Sequence, residues 1–126
     1  MEKSKKVLIA EDSSIIINLT KKIMEYEKYD LVVARNGQEV LDILKDETFD
    51  VILMDINMPV MDGMQCTKAI RAHKDPKIAN IPIIVITGNY KNYQPEDFKN
   101  AGVNEYLQKP LNFDKMVEYV KKYVDA

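Results

Sequence analysis

Four short apolar runs punctuate the chain: Val7-Leu8-Ile9-Ala10, Leu31-Val32-Val33-Ala34, Val51-Ile52-Leu53-Met54 and Ile83-Ile84-Val85-Ile86. None alternates with polar residues, so none reads as a strand with one wet face. Short runs of β-branched and aliphatic residues suit strands covered on both sides, as in a parallel sheet. Glu105-Tyr106-Leu107 is a weaker fifth candidate. Helix-period segments lie between the runs. Ile16, Leu19 and Ile23 form one stripe, Val40, Leu41 and Leu44 a second, and Met64, Thr67 and Ile70 a weaker third. The clearest stripe is the last, with Phe113, Met116, Val117, Val120 and Val124. Capping residues stand where these helices begin: Asp12 or Ser13, Asn36-Gly37, Asp62-Gly63 and Asn112. Gly88 to Gln94 has no apolar period and reads as an exposed, mobile loop carrying Tyr90 and Tyr93. A short helix from Pro95 to Ala101, closed by Gly102, follows it.

The order is β-α five times over. Right-handed crossovers then give an α/β fold, a doubly wound five-stranded parallel sheet with helices on both faces. Its expected strand order is the flavodoxin-like 2-1-3-4-5. Residues 1–126 are expected to form a single domain with no output domain in the chain.

Composition removes several classes. Apolar residues make up 46% of the chain and charged residues 30%, enough for a core and a soluble surface. A net charge of −2 argues against direct nucleic-acid binding. The single cysteine, Cys66, cannot close an internal disulfide, and no Cys/His cluster has zinc spacing. No apolar run approaches the roughly 20 residues of a membrane span, and no signal-peptide core follows the lysine-rich start. The expected location is cytoplasmic, with no membrane contact. The seven methionines, Cys66, His73 and the N-terminal lysines are assigned no chemistry.

Polar residues collect where the strands end. Glu11 and Asp12 follow the first, Asp55 closes the third, Thr87 the fourth, and Lys109 follows the fifth. In an open α/β sheet ligands bind outside the carboxyl ends of the strands, at the switch point between strands 1 and 3. Three carboxylates against one lysine leave two negative charges, which a divalent cation would neutralise. Oxygen ligands without His or Cys favour Mg²⁺, with Mn²⁺ as the substitute. Asp55, ending the central strand, is the candidate nucleophile toward a phosphoryl group. Lys109 and Thr87 are placed to contact the phosphoryl oxygens. Singly each residue reads as a cap or a surface group; Asp12 doubles as a helix-cap candidate, and Asp62 is read as a cap alone. Jointly, five such residues at the strand ends favour the functional reading.

The chain resembles a response-regulator receiver domain, the phosphoacceptor module of two-component signalling. The motifs that carry the resemblance are Val7-Leu8-Ile9-Ala10-Glu11-Asp12-Ser13, Asp55-Ile56-Asn57-Met58-Pro59-Val60-Met61-Asp62-Gly63, Ile86-Thr87-Gly88 and Tyr106-Leu107-Gln108-Lys109-Pro110. The resemblance implies that Asp55 is phosphorylated and that Glu11, Asp12, Asp55 and the backbone carbonyl of Asn57 hold Mg²⁺. It implies that Lys109 contacts the phosphoryl group and that the Lys109–Pro110 peptide is cis. Thr87 and Tyr106 become the switch pair, and the fourth predicted helix, fifth strand and last helix the signalling face. Its implied partners are a histidine kinase or a histidine phosphotransfer protein and an unknown downstream effector, with a homodimer through the last helix and strand left open. Glu11 stands where Asp is commoner, Gly88 where Ala is commoner, and Asn57 and Asn89 at positions that tune the phosphoryl lifetime.

Such a domain catalyses its own Mg²⁺-dependent phosphorylation and dephosphorylation; it is not a turnover enzyme. Three rivals are weighed against it. A haloacid-dehalogenase-type phosphatase needs an acid where Asn57 stands. A flavin carrier of the same topology needs a phosphate-binding loop where Glu11 and Asp12 would repel one. The alternative retained is a degenerate, unphosphorylated receiver acting as a docking module.

Overall fold

The computed structural model describes residues 5–88 and 93–125. The elements are β1 (Lys6–Ala10), α1 (Ser14–Glu27), β2 (Asp30–Ala34), α2 (Gly37–Leu44), β3 (Val51–Asp55), α3 (Gly63–Arg71), α4 (Pro76–Ala79), β4 (Ile83–Thr87), α5 (Pro95–Ala101), β5 (Glu105–Gln108) and α6 (Phe113–Val124). The five strands form one parallel sheet in the order β2-β1-β3-β4-β5. The architecture expected from the pattern is therefore the one observed.

The central strands β1, β3 and β4 serve two cores, which is why their sequences do not alternate, whereas the edge strand β5 buries only Leu107. Leu8, Ile52, Met54 and Val85 face one cluster with Val40, Leu44, Met64, Ile70 and Phe98. Val7, Ile9, Leu53, Ile84 and Ile86 face the other with Met24, Met116, Val120 and Val124. The caps also agree: Ser13, Asn36, Asp62 and Asn112 each accept a backbone N–H of the helix that follows.

Three local expectations are corrected. The buried stripe of α1 is Ile17, Thr20 and Met24, not Ile16, Leu19 and Ile23. Ile16 and Ile23 flank it, while Leu19 is 42% exposed beside Ile15 at 73%. The run Ile15-Ile16-Ile17 permits several helical phases, and the phase adopted buries Thr20, whose hydroxyl donates to Ile16 O at 2.8 Å. Second, α4 is a single turn beyond the expected five helices, capped by Asp75 with Pro76 in its first turn. The Asp-Pro pair signals such a start, but one turn is too short to show a period. Third, Tyr93 is half-buried rather than exposed, and its hydroxyl donates to Asp62 Oδ2 at 3.3 Å. Tyr90 and Asn89, and with them the expected mobile loop, lie outside the described residues.

Candidate functional site

The carboxyl ends of β1 and β3 lie side by side, with Ala10 paired to Met54. Residues that continue these strands must therefore emerge together. Glu11 remains tied to the sheet by its N–H on Ala34 O at 2.9 Å, and its side chain is 1% exposed. Asp12 is exposed, and Ser13 turns the chain into α1. Asp55 closes β3 and is likewise 1% exposed. The carboxylates of Glu11, Asp12 and Asp55 bring oxygens within 4.8 Å of one another.

Lys109 arrives from the far side of the sheet. Its N–H donates to Thr87 O at 2.8 Å, so β4 and β5 hand it across. Its Nζ stands 3.4 Å from both oxygens of Asp55. Asp55 Oδ1 also accepts the Asn57 N–H at 3.2 Å. The Lys109–Pro110 peptide is cis, as the resemblance implies. Gly88 borders the lysine: a Cβ there would sit 3.3 Å from Lys109 Cδ.

The electrostatics of this pocket are unbalanced. Glu11 Oε1 accepts the Ser13 N–H at 3.1 Å, but Oε2 is buried with no hydrogen-bond partner. Burial, then the neighbouring Asp55 charge, raises the Glu11 carboxyl from 4.5 to about 7. An orphaned buried carboxylate oxygen beside two further carboxylates is a donor set fit for a hard divalent cation. Without a cation, the Ser13 N–H and the Lys109 charge offset burial and the Asp55 charge only in part.

A pH dependence follows. The folded state holds the Glu11 proton more tightly than the unfolded chain, so this group's contribution to stability is lost as pH rises from about 4.5 through about 7. Metal-free protein is therefore expected to lose thermal stability across that window, and Glu11→Gln to flatten the loss. Melting curves at stepped pH check this; an unchanged slope in the variant would assign the effect elsewhere.

Thr87 is buried at the end of β4, whereas Tyr106 on β5 is 42% exposed. Tyr106 pairs with Val85, two residues before Thr87, so both side chains belong to the same sheet face as diagonal neighbours. The Tyr106 ring lies 5.5 Å from that of Phe98 on α5.

Two features of the loop after Asp55 escape sequence reasoning. Val60 has φ 70°, a left-handed conformation that a β-branched residue rarely adopts, and is 81% exposed. Gly63 packs its Cα against the Asp55 backbone, where a Cβ would approach the carbonyl oxygen to 2.4 Å. Asp62 caps α3 with a reciprocal Gln65 contact, as read, but also receives the Tyr93 hydroxyl. Among the described residues no helix is long and apolar enough to cross a membrane.

Residues 7–121 match the family model described as the response regulator receiver domain. The polar-differentiation response regulator DivK of Brucella anthropi is 31% identical over 120 residues, covering 95% of this chain and 96% of its own length. Hybrid signal transduction histidine kinase I of Dictyostelium discoideum is 33% identical over 129 residues, 95% of this chain, but the chain spans only 7% of that protein. Among solved structures, the receiver domain of a sensor histidine kinase from Pseudomonas aeruginosa PAO1 superposes with a TM-score of 0.85 at 25% identity, covering 98% of this chain and all 100% of that one. That structure has a magnesium ion coordinated in its active-site cleft. A receiver domain from Saccharomyces cerevisiae, crystallised with a histidine phosphotransfer signaling protein, superposes with a TM-score of 0.83 at 26% identity, covering 96% of this chain and 89% of that one.

Proposed function

We propose, since this chain belongs to the family of response regulator receiver domains, that Asp55 accepts a phosphoryl group from the phosphohistidine of a histidine kinase or a histidine phosphotransfer protein. The observation that carries the proposal is the buried Asp55 carboxylate held by Lys109 at 3.4 Å, with Glu11 and Asp12 at the same strand ends. An Asp55 oxygen attacks phosphorus, the P–N bond breaks, and the imidazole keeps the electron pair and takes up a proton. The product is an acyl phosphate on Asp55.

Each residue has a part in that exchange. Lys109 carries positive charge to the phosphoryl oxygens as they approach. Glu11 and Asp12, with Asp55 and the carbonyl of Asn57, would hold Mg²⁺. The metal supplies Lewis-acid charge neutralisation when bound. The chain modifies itself once per phosphoryl group, so it acts as a signal acceptor rather than a turnover enzyme. Intact mass after incubation with acetyl phosphate, with and without Mg²⁺, tests the reading. A Mg²⁺-dependent gain of one phosphoryl group is expected.

The donor has a surface to meet. α1 begins immediately after Glu11 and Asp12, and it exposes Ile15, Leu19 and Tyr26 at positions that share one helical face. Ile15 in the first turn of α1 and Val60 in the loop after β3 are both exposed, at 73% and 81%, on segments that leave the ends of β1 and β3. Ile15→Ser is therefore expected to slow transfer from a protein donor by about five- to tenfold, the scale of a central interface residue. Labelling by acetyl phosphate should not change, because Ile15 is 73% exposed and supports no core. Equal slowing with both donors would refute the docking role.

Output follows from the switch pair. Phosphorylation shifts a pre-existing equilibrium in which Thr87 moves toward the phosphoryl group and Tyr106 turns inward. The face so altered is α5, β5 and α6, where the downstream effector binds. Thr87→Ala should leave Mg²⁺ binding intact while abolishing the response of the Tyr106 ring, which NMR of labelled tyrosine reports. Glu11, Asp12, Asp55 and Lys109 come together at the strand ends, which supports the acceptor over the unphosphorylated docking module.

A further inference from the structure

The loop after Asp55 is joined to the segment that enters α5 by a polar contact, the Tyr93 hydroxyl donating to Asp62 Oδ2 at 3.3 Å. Each side of that contact is anchored. Asp62 Oδ1 accepts the Gln65 N–H at 2.8 Å, so the carboxylate is fixed at the head of α3. The next residue, Gly63, donates its N–H to Ile56 O at 3.0 Å and lies against the Asp55 backbone. On the other side the Tyr93 ring stands 6.3 Å from Phe98, and Phe98 stands 5.5 Å from Tyr106. A continuous chain of contacts thus runs from the Asp55 backbone through Gly63, Asp62, Tyr93 and Phe98 to Tyr106.

The contact is built so that it can open. Tyr93 is half-buried, and beside it an open groove of about 240 Å³ between α3 and α5 is lined by Met64, Lys68, Tyr93, Asp97, Asn100 and Ala101. The Tyr93 ring packs at the edge of the core cluster that holds Phe98 and Met64, with this groove on its open side. α5 has only seven residues and begins at Pro95, two residues after Tyr93, so the position of the tyrosine constrains the helix directly.

We propose that Tyr93 is a positioning residue whose hydrogen bond to Asp62 latches α5 and Tyr106 in the resting arrangement. It rests on the acceptor reading only in one respect, namely that modification of Asp55 is what opens the latch. Tyr93→Phe deletes the hydroxyl and keeps the ring against Phe98. Loss of one such bond is expected to raise the population of the open arrangement roughly three- to tenfold.

The test uses unphosphorylated protein first. Hydrogen exchange of the Phe98 to Ala101 amides should quicken in Tyr93→Phe by that factor, with α6 unchanged, and the Tyr106 ring signal should shift. Asp62→Asn puts an amide N–H donor where the charged acceptor stood, so it should give a smaller Tyr106 shift in the same direction, and the double variant no more than Tyr93→Phe alone, since the same contact is altered in all three. Unchanged exchange in Tyr93→Phe, or additive shifts in the double variant, would overturn the latch. Labelling by acetyl phosphate is the second arm. If the wild type is labelled, Tyr93→Phe should be labelled several-fold faster, and an equal rate would break the link to Asp55. If the wild type takes no phosphoryl group, the acceptor reading fails on its own, and exchange and the Tyr106 signal still decide the latch.

Discussion

Asp55→Asn is expected to abolish the gain of one phosphoryl group from acetyl phosphate, with no residual labelling elsewhere on the chain. The amide is not a nucleophile toward phosphorus under these conditions, and among the described residues Asp55 is the carboxylate paired with Lys109. Stability should move in the opposite direction from activity. The variant removes the charge that, after burial, does most to raise the Glu11 carboxyl. Glu11 then ionises more readily, so metal-free Asp55→Asn is expected to be at least as stable near neutral pH as the wild type. Lys109, 29% exposed at its side chain, loses its ion pair but can turn to water. Stabilisation by Mg²⁺ should shrink, because one of three carboxylates is gone. Mass spectrometry and melting curves with and without Mg²⁺ check both halves. Persistent labelling would move the acceptor to another residue, and a large loss of stability would mean that the Asp55–Lys109 pair holds the fold.

Gly63→Ala should be the most damaging of the small substitutions. A Cβ at Gly63 would lie 2.4 Å from Asp55 O, 2.9 Å from Ile56 Cα and 3.0 Å from Asp55 C. All three are backbone atoms of β3 and its exit, so no flexible side chain can yield. Either α3 retreats from the sheet or Asp55 is pushed out of line. The cost is expected to be at least about 1–3 kcal/mol, the range for overpacking a close-packed site. Labelling of Asp55 should slow in the same variant, because the displaced atoms carry the nucleophile. Gly88→Ala is the contrasting case: its Cβ would meet the Lys109 side chain at 3.3 Å, and that chain can shift. Urea midpoints should therefore drop sharply for Gly63→Ala and hardly at all for Gly88→Ala. Equal midpoints for the two would show that α3 accommodates a methyl group against β3.

Much of this was legible in the chain because the relevant physics is local or periodic. Strands buried on both faces must be apolar throughout, so Val7 to Ala10 and Ile83 to Ile86 announce a covered parallel sheet. Helix caps need a side-chain acceptor at one position, so Asn36, Asp62 and Asn112 mark helix starts. Once the strand order follows, every strand-end residue is delivered to one edge. Glu11, Asp12, Asp55, Thr87 and Lys109 could be gathered before any coordinate was known.

What tertiary structure decided lies where several arrangements satisfy the same local pattern. The three consecutive isoleucines of α1 allow more than one buried face, and only packing selected Ile17, Thr20 and Met24 and left Ile15 and Leu19 outside. A one-turn helix such as α4 is too short to carry a period. The left-handed Val60 leaves no mark in composition, since a valine there contradicts its own preference. The raised Glu11 carboxyl needs both burial and Asp55 beside it, residues 44 positions apart. The Tyr93–Asp62 bond likewise joins side chains from two loops. Pattern and capping determined the elements and their order, and so which residues end the strands, because each depends on near neighbours in the chain. Burial, helix phase and contacts between loops were settled only when distant segments packed, because their energies depend on the neighbours that packing supplies.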